Sequence, residues 1–289
     1  MKSVLVTGGT VRLGKAIAER LRADDWRVLT SSHRADAGAD IVADLSEPMG
    51  AAKLYAAALQ ILGGTPPDAL VNNAALFVGE ESAVKAVNFE APKKLTTMMA
   101  GRETGIGAVV NILDGALGSD SVGLESGSVG LGSGSVGLGS GSVGLEPGSV
   151  GLGSGSVGLE PGSVGLGSDS VGLEPGSVGL GSDSVGLESG RDLNRPSSDP
   201  KRPYLESKRE LRAFTLASAM MFADSLRVNA VAPGPVLAPT EVREKAGAML
   251  LARRPTPDDV AAAVSFLLSS ESVTGAIIPV DAGQHLLAQ

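Results

Sequence analysis

The sequence predicts one doubly wound α/β domain, a mostly parallel sheet with helices on both faces, interrupted once by a low-complexity insertion. Three observations carry that expectation. The chain opens as apolar run, glycine-rich turn and amphipathic helix; apolar strand-like and helix-like runs keep alternating on both sides of the interruption; and the interruption itself is a tandem repeat. Hydrophobic residues make up 43% of the 289, enough for a single core.

The opening stretch "SVLVTGGTVRLGKAIAERLRADDWRVLTSSHR" reads as strand, turn, helix, strand. Val4 to Val6 form the apolar run, and Gly8, Gly9 and Gly14 punctuate the turn. Leu13, Ile17 and Leu21, four apart, give the helix one apolar stripe. A helix N-terminus with free N–H groups behind a glycine turn suits a pyrophosphate, although such turns also arise for backbone reasons alone. The second strand ends at Ser32, His33 and Arg34, where NAD sites usually place an acid for the ribose hydroxyls. A cationic fork there suits a 2′-phosphate and favours NADP(H) over NAD(H). The alternative is a solvated arginine, with Asp36 close by in sequence. In "ADLS", Asp44 is placed to meet an adenine, with Leu45 beside it.

From Ser121 to Gly190 the chain is ten seven-residue units, each "SVGL" plus a variable tripeptide. A period of seven suggests a coiled coil, but 23 Gly and 17 Ser among these residues reject it, since each Gly costs a helix about 1 kcal/mol. A stacked β-solenoid can bury identical faces of identical units. A flexible Gly/Ser coil is the preferred expectation. Lengthening a surface loop from 20 to 90 residues costs only roughly 1.3 kcal/mol, so a folded domain tolerates it.

Composition removes several function classes. The absence of cysteine excludes disulfides and thiolate chemistry, and two histidines are a poor start for a zinc site, so no metal is expected. No run of 18 apolar residues occurs, and "MKSVLVTGGT" leaves no room for a signal peptide, so the expectation is a cytoplasmic protein away from membranes. The repeat contributes −7 of the net charge of −8, leaving 24 basic against 25 acidic side chains elsewhere. Neither part offers the basic field that nucleic acids require; a small-molecule substrate is expected.

Further on come "DALVNNAALF", "YLESK" and "RVNAVAPGPV". With the glycine turn and in this order, these motifs resemble the short-chain dehydrogenase/reductase family over residues 1–118 and about 195–285. The resemblance implies one discontinuous NADP-binding reductase domain of Rossmann type, residues 1–118 and 191–289, with 119–190 as insertion. It also implies a homodimer or homotetramer, joined through helices around 85–100 and 204–223. Tyr204 and Lys208, four apart, share a helix face, and an ammonium beside a phenol is expected to lower its pKa from about 10. By resemblance Lys208 also holds the nicotinamide ribose, and Asn88 in "AVNFEAP" matches the asparagine of the proton relay. Leu13, Asn73 and Ala74 line the cofactor, and Pro233, Gly234 and Val236 pass its carboxamide.

Three departures from the usual family pattern resemble the pteridine reductases and related dihydropterin or dihydrofolate reductases. Arg12 stands where the turn has its middle glycine, Asp114 where the catalytic serine stands, and Phe77 four residues past Asn73. Phe77 can stack on a flat pterin, Arg12 can bridge cofactor phosphate and pterin, and Asp114 can hydrogen-bond Tyr204 and relay a proton to a ring nitrogen. Taken singly, Phe77 also reads as a core residue of a lid loop, Arg12 as a phosphate ligand alone and Asp114 as a turn cap. The expected reaction is NADPH-dependent hydride transfer to a dihydropterin-like heterocycle. The rivals are a carbonyl reductase, for example of 3-oxoacyl thioesters, a non-catalytic NADP(H)-binding module, and an enzyme inactivated by the repeat, which falls between Asp114 and Tyr204. Near the C-terminus, Thr256 before Pro257 reads as an N-cap with proline at the first helical position, and Val260, Val264 and Leu267 form the buried face.

Overall fold

The computed structural model describes residues 1–102, 105–115, 201–236 and 249–287, together with short strand segments between 129 and 186. The chain forms two compact units, Met1–Ser119 with Asp199–Gln289, and Asp120–Ser198.

The first unit begins with β1 (Ser3–Val6), α1 (Arg12–Ala23), β2 (Arg27–Ser32), β3 (Ile41–Val42), α2 (Gly50–Ile61) and β4 (Ala69–Asn72). A short helix α3 (Glu81–Lys85) passes through a π-helical turn, Ala86–Glu90, into α4 (Ala91–Ala100), and β5 (Gly107–Ile112) follows. Strands β1, β4 and β5 are fully buried runs, as a parallel sheet covered on both faces demands.

In the second unit the described segments are nine short strands: β6 (Val129–Gly130), β7 (Val136–Leu138), β8 (Val143–Gly144), β9 (Val150–Leu152), β10 (Gly155–Gly158), β11 (Val164–Leu166), β12 (Asp169–Gly172), β13 (Val178–Leu180) and β14 (Val185–Gly186). They form two parallel sheets, β14-β12-β10-β8-β6 and β13-β11-β9-β7. Each strand pairs with the copy two repeat units along, Val over Val and Gly over Gly, as in Val157 with Val171. Identical units give each of these strands an identical partner; the coil expected for the rest of the insertion lies outside the described residues. The links between them lie outside the described residues.

The first unit resumes with α5 (Arg202–Met221), β15 (Leu226–Pro233), α6 (Pro257–Ser269) and β16 (Ile277–Val280). Its seven strands are ordered β16-β15-β5-β4-β1-β2-β3, and every described pair is parallel. Alternation along β1 divides the core between the faces. Val4 and Val6 pack with Ile17 and Leu21 of α1 and Val260, Val264 and Leu267 of α6, while Leu5 packs with Leu54 of α2 and Leu95 and Met99 of α4. The Thr256 cap is present: its hydroxyl accepts from Asp259 N, Pro257 opens α6, and the Asp259 carboxylate returns to Thr256 N. The order of strands reverses between β1 and β4, so a crevice opens beyond their C-terminal ends. Among the described residues no helix is long and apolar enough to cross a membrane, and no acidic or histidine cluster suits a metal ion.

Candidate active site

That crevice is a cleft of about 1030 Å³ in the first unit, and it gathers every site residue read from the sequence except Asn88. At its floor is the glycine turn. Gly8 has φ 62°, open to glycine at little cost. A Cβ on Gly14 would overlap the Gly8 carbonyl oxygen and crowd the Asn73 amide, so this helix can start so close to the strand only with glycine there. Asn73 stitches the turn to β4: its Nδ2 donates to the carbonyls of Thr7 and Gly8 at 2.9 and 3.1 Å. Thr7 was not singled out from the sequence, yet its hydroxyl accepts from the backbone N–H of both Asn73 and Ala74. Arg12 sits at φ 49°, a left-handed conformation that costs a non-glycine residue about 1 kcal/mol or more. The arginine thus occupies a backbone position that favours glycine, and it carries a guanidinium into the cleft wall.

At one end lie Ser32, His33, Arg34, Asp44 and Leu45. Arg34 is exposed and forks onto Asp36, Nε to Oδ1 at 3.0 Å and Nη2 to Oδ2 at 2.6 Å. This raises the Arg34 pKa and holds the Asp36 carboxyl low. Asp44 accepts from Ser46 N and Oγ at 2.9 and 2.6 Å, bonds that keep it ionised.

At the other end stand Asp114, Tyr204, Lys208 and Phe77. Tyr204 is 8% exposed, and its hydroxyl donates to Asp114 Oδ2 at 2.7 Å. Burial, then the Asp114 charge and then this hydrogen bond push the phenol pKa well above its ordinary value. The expectation of a lowered phenol pKa is thereby corrected. Lys208 does share the helix face, but its Nζ lies 5.8 Å from the Tyr204 ring centre and points one N–H at Ile112 O at 2.7 Å. Burial lowers the Lys208 pKa to about 8, against the opposing pull of Asp114. Phe77, 47% exposed, rests on the Tyr204 ring with centres 4.7 Å apart and planes tilted by 57°. It is a half-open apolar wall rather than a core residue.

Asn88 lies behind the cleft. It is fully buried in the π-helical turn, where its Oδ1 accepts from Leu76 N at 2.8 Å and its Nδ2 donates to Leu76 O and Ser207 Oγ. Ser207 Oγ donates in turn to Tyr204 O, so Asn88 ties the strip carrying Phe77 to the helix carrying Tyr204. The third wall is the loop after β15. A Cβ on Gly234 would clash with Asp281, and Gly234 N donates to Val280 O at 3.0 Å, which presses Pro233, Gly234 and Val236 against the cleft. Among the lining residues not singled out from the sequence are Arg254, just before α6, and Gln284, shortly after β16.

The cleft can thus take a dinucleotide along the glycine turn and a second molecule beside Phe77 and the Tyr204–Asp114 pair. Comparisons with known proteins agree with this architecture. The profile of a family described as enoyl-(acyl carrier protein) reductase matches residues 194–285. The short-chain dehydrogenase/reductase homolog YusR of Bacillus subtilis is 37% identical over 90 residues, covering 29% of this chain and 70% of its own. Two further curated relatives are spanned over only 32% and 41% of their length. Among solved structures, FolM alternative dihydrofolate reductase 1 from Brucella canis, complexed with NADP, aligns with a TM-score of 0.63 at 24% identity, covering 99% of this chain and 94% of that one. The 3-alpha-hydroxysteroid dehydrogenase from Pseudomonas sp. B-0831, complexed with NADH, aligns at 0.65 and 21%, covering 100% and 98%. At such identities the likeness speaks for the fold.

Proposed function

Because this chain belongs to the short-chain dehydrogenase/reductase family, we propose that it is an NADPH-dependent reductase acting on the C=N bond of a dihydropterin-like heterocycle. The observation that carries the reading is the 2.7 Å hydrogen bond from Tyr204 to Asp114. A carboxylate at the proton donor opposes the negative charge that builds on a ketone oxygen during reduction. The same carboxylate favours a ring nitrogen that takes up a proton and is cationic as the hydride arrives at the neighbouring carbon.

The residues present fit the cofactor: Gly14 and Gly234 allow close packing, where a Cβ would clash with Gly8 O or Asp281, and so bring the turn and the loop after β15 to the cleft. Arg12 and the turn would hold its pyrophosphate, Ser32 to Arg34 its 2′-phosphate, and Lys208 its nicotinamide ribose. When bound, NADPH supplies the hydride. Tyr204, kept protonated by burial and by Asp114, gives its proton to the ring nitrogen, and Asp114 orients the phenol and relays the replacement proton. Phe77 stacks on the heterocycle and excludes water from one face. Supplying the protein with NADPH and, in parallel, a dihydropterin or a 3-oxoacyl thioester tests the assignment. NADPH oxidation with the pterin supports it; oxidation with the thioester alone establishes the carbonyl reductase instead.

A further inference from the structure

We propose that Arg254 is a phosphate-binding residue whose guanidinium grips the pyrophosphate of the bound dinucleotide together with Arg12. The inference rests on the dinucleotide part of the reading above and not on the pterin part.

Two adjacent arginines have different fates here. Arg253 Nη2 pairs with Asp259 Oδ1 at 3.0 Å, and Asp259 Oδ2 closes the capping box on Thr256, so Arg253 is spent on the start of α6. Arg254 is half-buried, lines the cleft and has no hydrogen bond or ion pair among the described residues. Its backbone is held on both sides: Leu250 N and Leu251 N both donate to Ala282 O at 3.0 Å, and Pro255 is buried. A cation held in place and left without an acid is kept for a ligand anion.

The helices say which anion. Both α1 and α6 pack on the same face of one parallel sheet, sharing Ile17, Leu21, Val260 and Val264 in one cluster. Ser265 Oγ, late in α6, donates at 2.6 Å to Asp24, the C-cap of α1, so the helices run in the same direction. Their starts therefore stand together, and Arg254, three residues ahead of α6, comes beside the glycine turn and Arg12. The end with Ser32 to Arg34 lies beyond β2, and its guanidinium is already forked on Asp36. A planar fork beside two helix N-termini suits a phosphate.

The test uses full-length protein, wild type, Arg254→Gln and Arg254→Lys, titrated with NADPH and with NADH by fluorescence. The two dinucleotides share the pyrophosphate and differ in the 2′-phosphate. Arg254→Gln is expected to weaken both by roughly tenfold and by the same factor, the range of a lost charge-assisted hydrogen bond, with a shallower salt dependence. Arg254→Lys is expected to fall between, because it keeps the charge and loses the fork. Unchanged affinity for both dinucleotides in the folded Gln variant overturns the proposal. A loss confined to NADPH also overturns it, by moving Arg254 to the 2′-phosphate. A wild-type protein that binds neither dinucleotide removes the cofactor reading itself, and this inference with it.

Discussion

Replacing Asp114 by Asn removes the negative charge at the Tyr204 hydroxyl while keeping the shape of the side chain and an oxygen that can accept. The bond is 2.7 Å long and the phenol is 8% exposed, so solvent screens it little. A hydrogen bond to a charged group contributes about 1.5–3 kcal/mol, which at 1.36 kcal/mol per unit amounts to about 1–2 pKa units. Asp114→Asn should therefore lower the phenol pKa by about 1 unit or more, leaving the contribution of burial in place. The chain has two tyrosines, and Tyr55 is also pushed up by burial, so the titration belongs in a Tyr55→Phe background with a single phenol. Tyrosinate absorbance followed against pH, with circular dichroism to detect unfolding, reads the shift. Tyrosinate should appear about 1 pH unit or more earlier in the Asn variant than in the parent. Reduction of the dihydropterin should fall by roughly 100-fold in the same variant, the range of one acid–base group. A phenol that titrates no earlier than in the parent would refute the electrostatic account of this pair.

Three further outcomes are expected. Arg12→Gly should relieve the left-handed backbone and stabilise the fold by about 0.5–1 kcal/mol, a melting temperature roughly 2 °C higher, while weakening NADPH binding in a fluorescence titration. Asp36→Asn frees Arg34 from its exposed ion pair and should tighten NADPH relative to NADH by up to about fivefold, the range of a surface pair, as measured by parallel titrations. Lys208, its pKa lowered to about 8, is charged below that pH and neutral above it. A plot of kcat/KM against pH should decline on the alkaline side near 8, and Lys208→Arg, which keeps the charge at every pH in that range, should remove that limb from whatever activity remains.

Most of the cleft was legible because its parts are local. The glycine turn, the Tyr204–Lys208 spacing and the loop around Gly234 each declare themselves within a few residues, and the parallel sheet brings their ends to one edge. What was not legible depends on packing. An Arg-Arg pair ahead of a helix reads as solvated charge; only the capping box on one side and the α1–α6 contact on the other separate Arg253 from Arg254. Spacing put Lys208 on the face of Tyr204 but did not reveal the burial that, with the Asp114 charge, drives the phenol pKa up, so the direction of the shift came out reversed. The packing of Asn88 was not legible either: its side chain ties Leu76 to Ser207. In the repeat, the pairing of each described strand with the copy two units along is a long-range property that composition does not carry.

The central claim is hydride transfer to a C=N bond, and the fate of the hydride tests it most directly. Full-length protein would be incubated with NADPH deuterated at the transferred position and a 7,8-dihydropterin, and the product analysed by mass spectrometry and NMR. The account predicts a tetrahydropterin with one deuterium on the former imine carbon, formed by wild type and not by Tyr204→Phe. Oxidised cofactor with no labelled pterin, or labelling that survives loss of the Tyr204 hydroxyl, would contradict it.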